Sequence, residues 1–542
     1  MSSNLNVCFR VRASSSLGMG HLARCSHLAR ELQARGAQIT FIVDQNYQNF
    51  DRLLAGFDVI ELYSEDSFQN ETDDATHCMP YLRGAIVVVD DYRLSQEWER
   101  EARKLAQRII VIDDLANRIH DCDLLIDQKW SCDGSHLQRY RNLIPQQCER
   151  ALGPDYALLD SAYARASDSA SCNDGTIKLL FSLGGGGDLS LLTDLVARLA
   201  SLLNGDDLEF QVVVGPAAIN ADSLTLLEQA DSRVSRVEGR TCLAEVYRDV
   251  DLYVGAAGTS IYELNCLRVP SLLFSLSDNQ SNDILDLEGL GHYFYLSYQE
   301  FLKIDDVAQL VLAMLRHLPQ IREMVRHSRV QVDGKGIARI ADRVQKVDVD
   351  HFVSAAPGKS DSAQGFDAVG YRKQLSQGIA VVAVSIDHVN RYLNARNLVN
   401  NRQNMTICDQ ISRLEHYLWW FSNKRQSYVL NNGDEDLLYI WHEVRCYKGQ
   451  DYLIGGWFVC GEDCGFDIAT LALKWQLEMT AQAYPGVPWL AVIAKDNKFV
   501  NLLNKYMGFT PTVEASRVEA TNSFFPSATQ EHFNYVELNE SP

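Results

Sequence analysis

One arrangement restricts this chain more than any other: a glycine-rich turn set between a short apolar run and an amphipathic helix, and it recurs. In the first copy a strand is expected from Leu5 to Val11, followed by a loop holding Ser14, Ser15, Ser16, Gly18 and Gly20. A helix follows from His21, with Leu22, Cys25, Leu28, Ala29 and Leu32 at helical spacing, and stops at Gly36. Further apolar runs at Ile39–Val43, Ala85–Val89, Ile109–Ile112 and Leu124–Ile126 alternate with amphipathic stretches such as Gln96–Gln107. Such alternation predicts a parallel sheet covered by helices, here over residues 1–150. The pattern restarts at Lys178–Leu183 with Gly184 to Gly187 and a helix from Asp188 to Leu203. Strands at Phe210–Val214, Leu252–Gly255 and Ser271–Phe274 and helices at Val307–His317 and Ile321–His327 then predict a second Rossmann-like domain over 175–348. Two such domains would face each other across a cleft.

Residues 354–365 are only small, polar, Pro and Gly, so they read as a linker, placed at 354–369. Beyond it, residues 370–542 predict a separate α+β domain. A helical part runs over Asn390–Phe421, and strands are expected at Ser427–Leu430, Leu437–Glu443 and Tyr452–Val459. A helix at Ala469–Ala483, a strand at Trp489–Ala494 and a helix at Phe499–Tyr506 complete it. The length of 542 residues by itself suggests about three to five compact units.

Charge removes whole classes of partner. With 71 acidic and 50 basic side chains the net charge is -21, and no Lys/Arg run offsets it, so phosphate backbones and anionic membrane surfaces would repel the chain. Nucleic acid is excluded as a partner. The 13 cysteines include no C-x-x-C pair and no zinc-type spacing, which fits free thiols in a reducing cytosol and no metal site. No signal-like start and no apolar run of bilayer-spanning length is visible, so a cytoplasmic protein without membrane insertion is expected.

Two segments carry chemistry. In RVRASSSLGMGHLAR, Arg10–Arg24, glycines precede a histidine at a helix start. Gly18 and Gly20 allow close approach of a ligand, and the helix N-terminus offers N–H groups to an anion. The positive end of the helix disfavours an imidazolium, which suits His21 to a general base; a capping histidine without chemistry is the alternative on this pattern alone. In the second domain, strand Leu252–Gly255 runs into Gly258, Thr259 and Ser260 and then a helix, a diphosphate site at a strand end. Glu263, one turn in, is placed to accept ribose hydroxyls. Gly184 and Gly185 form the other phosphate-proximal turn, and Asn279 and Gln280 supply amides for a sugar.

Taken as an ordered set, R-x-x-x-S-S-S-x-G-M-G-H-x-x-R, Asp90-Asp91-Tyr92, VIDDLANR (Val111–Arg118), LGPDYALL (Leu152–Leu159) and GAAGTSIYE (Gly255–Glu263) resemble the UDP-sugar hydrolases of pseudaminic acid biosynthesis. The resemblance covers roughly residues 5–345. It implies the two-domain GT-B fold and metal-free hydrolysis of UDP-2,4-diacetamido-2,4,6-trideoxy-β-L-altropyranose to UDP and free sugar. His21 and Tyr92 are its active-site residues. Two positions depart from the family pattern: Arg12 stands where an aspartate is usual, and Asp160 where an arginine often follows Y-A-L-[IL]. They could form a compensating pair or mean a different sugar. In the same fold, a glycosyltransferase with an acceptor alcohol in place of water is the alternative.

In the last domain, Asn394–Phe421 and Trp489–Phe509 resemble GNAT N-acetyltransferases, closest to the enzyme that acetylates the 4-amino group of the UDP-sugar upstream in that pathway. The Arg396-Asn397 pair, H-x-x-W-W-F and the motif opened by Asp496-Asn497 carry it. It implies acetyl-CoA as cosubstrate and Arg396, Asn397 and Asn497 as substrate contacts. The His416 and Trp419 face reads instead as aromatic core. Gly461–Phe466, at the expected acyl-CoA loop, holds two acids, and Asn504 occupies the position of the usual tyrosine acid. A scaffold that assembles pathway enzymes is therefore a further reading.

Overall fold

The computed structural model describes residues 5–12, 20–45, 51–64, 67–169, 175–205, 207–276, 282–345, 371–376, 378–433, 435–462 and 464–539. Gly18, Asn279, Gln280 and the linker 354–369 lie outside them. The chain divides into two compact units, residues 1–361 and 362–542, because both parallel sheets share the first. That is fewer than the length alone suggests.

The first sheet holds β1 (Asn6–Val11), β2 (Gln38–Val43), β3 (Asp58–Glu61), β4 (Ile86–Asp90), β5 (Arg108–Ile112), β6 (Leu124–Asp127) and β7 (Glu149–Leu152), in the order β3-β2-β1-β4-β5-β6-β7. Every pairing is parallel. Side chains alternate between two cores: Val7, Phe9 and Val11 pack with helix Gly20–Ala34, while Cys8 joins Val87, Val89 and Trp98 on the opposite face. Burial on both faces explains the near-continuous apolar strands.

The second sheet holds β8 (Ile177–Ser182), β10 (Leu208–Val214), β12 (Val234–Glu238), β13 (Leu252–Ala256), β14 (Ser271–Phe274) and β15 (Phe294–Leu296), again all parallel, ordered β12-β10-β8-β13-β14-β15. Beside it β9 (Gly186–Asp188) pairs with β11 (Ala217–Ile219), so half of the expected glycine turn is strand. A Cβ on Gly186 would stand 2.7 Å from that of Ala217, which is why this pair can close only on glycine. Both sheets are Rossmann-like, and in each the strand order reverses once, between β1 and β4 and between β8 and β13.

Helix Gly336–Gln345 corrects the 175–348 boundary. Its Ile337, Ile340, Ala341 and Val344 complete the core of the first sheet, and Arg35 pairs with its Asp342 at 2.5 Å. Between the halves, Trp130 packs its ring close against the backbone at Gly289, Cys132 N donates to Asp286 Oδ1 at 2.7 Å, and the Arg329 guanidinium sits 5.6 Å from the Trp130 ring.

The second unit is one mixed sheet of β16 (Arg372–Ser376), β17 (Ile379–Ala383), β18 (Gln426–Asn431), β19 (Asp436–Tyr447), β20 (Gln450–Val459), β21 (Trp489–Ala494), β22 (Thr510–Pro511) and β23 (Phe533–Leu538). Their order is β16-β17-β18-β19-β20-β21-β23-β22. One pairing is parallel, β20 with β21, and it holds a single register pair, Leu453 with Trp489. The sheet therefore splays there. The expected helical part divides into Val389–Arg396, Val399–Arg402 and Arg413–Ser422. His416 is buried, its Nε2 donating to Val389 O at 2.8 Å, and Tyr392, Trp419 and Trp420 surround it as aromatic core.

Candidate functional site

The motifs gather at the carboxyl ends of the strands, at the point where the first sheet reverses. β4 ends on Asp90, whose side chain is fully buried. His21 and Arg24 lie three residues apart on one face of helix Gly20–Ala34, and both reach it. His21 Nδ1 donates to Asp90 Oδ1 at 2.6 Å, while Arg24 grips the same carboxylate as a fork, Nε to Oδ2 and Nη2 to Oδ1, both at 2.6 Å. Burial alone would push the Asp90 carboxyl up, but Arg24 and then His21 hold it well below the usual carboxylate range. The carboxylate fixes the His21 tautomer with the proton on Nδ1. Nε2 has no hydrogen-bond partner among the described residues.

Tyr92 stands edge-on to His21, ring centroids 4.6 Å apart, and its hydroxyl donates to Asp114 at the end of β5. Asp114 also accepts from Arg24 Nη1 at 3.2 Å. Burial, then Asp114, pushes the Tyr92 hydroxyl above its ordinary range, so it stays protonated. A second, largely buried network lies at the neighbouring strand ends. Arg10 forks onto Asp74, with Nε at 3.1 Å and Nη2 at 2.6 Å, and reaches Asp44 at 2.8 Å; Arg93 bridges Asp44 and Asp91 at 2.8 and 2.6 Å. These partners tie the ends of β1, β2 and β4 together. Sequence reasoning singled out His21 and Tyr92 and left Arg24, Asp114, Asp44 and Asp74 aside; only the three-residue step from His21 to Arg24 signalled one of them.

Arg12 lies beside Arg93, Asp91 and Asp44. Asp160 caps helix Ser161–Ser167, its Oδ1 accepting from Ala162 N at 2.8 Å, and faces His27, Cys242 and Glu263. The two departures thus meet different neighbours, and the compensating pair is corrected.

At the reversal point of the second sheet, β8 and β13 approach so closely that a Cβ on Gly255 would lie 2.2 Å from Ser182 O. β13 then leads through Gly258 and Thr259 to helix Ser260–Leu267, which has no side-chain cap. Gly184, in the left-handed region at φ 82°, donates its N–H to Ser182 Oγ at 3.0 Å. Glu263 is half-buried with Tyr163 and Tyr247 against its carboxyl; burial pushes that carboxyl up to about 7. A Cβ on Gly20 would stand 3.9 Å from the Thr259 methyl. The helix start bearing His21 and the Gly258–Ser260 turn therefore face each other within the first unit.

The predicted contacts in the C-terminal domain fare differently. Asn397 is committed at both ends, Nδ2 to Ile411 O at 2.9 Å and Oδ1 from Ile411 N at 3.0 Å, so it pins a loop. Asn497 caps helix Lys498–Tyr506, accepting from Val500 N at 3.0 Å. Each side chain thus holds local structure. Arg396 donates Nη2 to Ile407 O at 2.7 Å, and its buried Nη1 has no partner among the described residues.

No family model matches this chain. The spore coat polysaccharide biosynthesis protein SpsG of Bacillus subtilis (strain 168) is 23% identical over 193 residues, 36% of this chain and 57% of that protein. The chain thus matches little more than half the length of that relative. Among solved structures, Acinetobacter baumannii MurG is 14% identical with a TM-score of 0.42, over 63% of this chain and 99% of its own. The UDP-GlcNAc 2-epimerase of Neisseria meningitidis bound to UDP-GlcNAc is 13% identical with a TM-score of 0.42, over 63% and 100%.

Proposed function

We propose that the N-terminal unit is a GT-B-like hydrolase of a UDP-linked 2,4-diacetamido-2,4,6-trideoxy sugar, yielding UDP and free sugar in nonulosonic (pseudaminic) acid biosynthesis. The observation that carries this reading is the Asp90-held His21, with Nε2 open, opposite the Gly258–Ser260 helix start. Nε2 takes a proton from water, and that oxygen bonds to the sugar C1 as the bond from C1 to the β-phosphate oxygen breaks. The electron pair leaves with UDP, and the proton remains on His21 beside Asp90. N–H groups at the start of helix Ser260–Leu267 stabilise the diphosphate, with Gly184 and Gly185 across the same sheet. Tyr92, fixed by Asp114, positions the sugar beside the imidazole. The polysaccharide-biosynthesis name of the SpsG relative supports a place in sugar synthesis. The test is incubation with UDP-sugars and no acceptor. Free sugar and UDP in equal amounts support hydrolysis; turnover only after an alcohol is added would replace this reading with glycosyl transfer.

For the C-terminal domain the reading is a GNAT-like module acting on a 4-amino UDP-sugar with acetyl-CoA, supported by the one splayed parallel pair, β20 with β21. Two features oppose fast transfer. Asn504 cannot deliver a titrating proton, and its Nδ2 donates to Val500 O at 3.0 Å. Glu462 stands exposed before helix Gly465–Ala483, beside the position where a diphosphate would bind. Acetyl transfer is therefore expected to be slow. Thiol release from acetyl-CoA on addition of a 4-amino UDP-sugar tests it, and none at all would leave the domain as a tether.

A further inference from the structure

A cavity of about 890 Å³ opens in the C-terminal domain between helix Lys498–Tyr506 and strands β21 to β23. That volume is within the range of small-molecule sites, roughly 300–1,000 Å³.

Its lining is unusual for so acidic a chain. Lys495 and Lys505 line it, no Asp or Glu does, and neither lysine has an ion pair among the described residues, although the chain carries a net charge of -21. Elsewhere in the molecule arginines are commonly matched by carboxylates, as at Arg10, Arg24 and Arg93. Two cations facing an acid-free wall have no matching carboxylate among the described residues.

The polar floor is preorganised. Asn501 Nδ2 donates to Ala494 O at 2.9 Å and Asn497 O at 2.8 Å, and its Oδ1 accepts from Asn534 Nδ2 at 2.8 Å. Thr512 also lines the cavity, 8% exposed, and its buried Oγ1 has no hydrogen-bond partner among the described residues. A buried hydroxyl left unpaired is disfavoured, so such groups normally meet a ligand or water. Phe509 and Phe533 supply apolar surface for the carbon face of a ring.

We propose that this cavity binds an anionic, hydroxyl-bearing small molecule of the sugar-phosphate or sugar-acid class, with Lys495 and Lys505 holding its charge and Thr512 Oγ1 a hydroxyl. The site is separate from the Asp90–His21 centre and requires no acyl transfer.

The test is calorimetric titration of the full chain, with saturating UDP present so that the Gly258–Ser260 region is occupied. The probes are N-acetylglucosamine 1-phosphate, glucuronate and neutral N-acetylglucosamine. One of the two anions should bind once per chain and the neutral sugar should not; which anion binds separates the phosphate source from the carboxylate source. The exposed pair Lys495→Ala/Lys505→Ala should keep the wild-type unfolding curve and weaken binding about ten- to a hundred-fold. Thr512→Val should cost about two- to ten-fold, and Thr512→Ser should restore it. No saturable binding of either anion, equal binding of the neutral sugar, or unchanged affinity in the lysine variant would each overturn the proposal.

Discussion

Asp90→Asn separates holding a histidine from merely lying near it. The wild-type carboxylate accepts three bonds of 2.6 Å, one from His21 Nδ1 and two from the Arg24 fork. An amide cannot accept from all three: its nitrogen must face either the imidazole or the guanidinium. If it faces His21, the ring turns to the other tautomer and Nε2 carries the proton, which removes the base. Loss of a positioned general base costs about 10²–10⁴-fold in rate. Breaking a buried ion pair from one side costs about 3–5 kcal/mol; the lower end is expected, because Arg24 keeps Asp114 at 3.2 Å. UDP release from a UDP-sugar without acceptor gives kcat, and urea unfolding gives the stability. The variant should lose rate with little change in UDP affinity. His21→Asn should lose as much, and the double variant no more than either, since residues acting as a unit are not additive. A kcat within threefold of wild type in Asp90→Asn, or independent losses that multiply in the double variant, would refute the assignment.

Chelation should leave the hydrolase untouched, because Asp90, Asp91, Asp44 and Asp74 are all committed to guanidinium or imidazole groups; activity lost to EDTA and restored by magnesium would sink this. Glu263→Gln should make stability less dependent on pH. With the folded carboxyl raised from 4.5 to about 7, chiefly by burial, the native state binds this proton more tightly than the unfolded one. Its contribution is complete below about pH 4.5 and is lost as pH rises through about 7, so the Gln variant should gain up to about 3 kcal/mol over wild type at pH 8 and nothing at pH 4. Parallel unfolding curves at both pH values would remove the buried carboxyl from the argument. Glu263→Ala should weaken UDP about ten- to a hundred-fold if the carboxyl also receives the ribose; unchanged titration with UDP would withdraw that contact. Gly289→Ala puts a Cβ 2.1 Å from Trp130 Cη2 and should cost about 1–3 kcal/mol while raising KM. Adding Trp130→Ala should recover the stability, and failure to recover it would place the clash elsewhere.

The strands legible in the sequence are those buried on both faces. Val87, Val88 and Val89, or Leu179, Leu180 and Phe181, form unbroken apolar runs because helices cover both sides of their sheets. Two of the missed ones, Asp58–Glu61 and Arg372–Ser376, are edges that leave much of their length in water and carry no run to read, whereas Ile379–Ala383 and Phe533–Leu538 are missed although they lie inside their sheet. Helix Gly336–Gln345 shows a different limit. Periodicity tells which of its faces is apolar, but not which sheet receives it. At the site, glycines and a helix start mark His21, while Tyr92 is reached only through the resemblance carried by Asp90-Asp91-Tyr92. Asp44 and Asp74 carry no such mark and meet Arg10 only through folding. Asn397 and Asn497 show what sequence leaves open, since asparagine is as useful for closing a loop or capping a helix as for touching a substrate.

Helix Gly336–Gln345 also sets an order of events during synthesis. Domains generally fold as units while the chain is still being made. Here the first sheet is translated first, yet Ile337, Ile340, Ala341 and Val344, which close one of its two cores, arrive only after every strand of the second sheet. The early half must therefore wait with an apolar face open while its neighbour forms. A chain cut just before Gly336 should keep all six strands of the second sheet and still release a first half that aggregates, whereas the same peptide supplied in trans should rescue it.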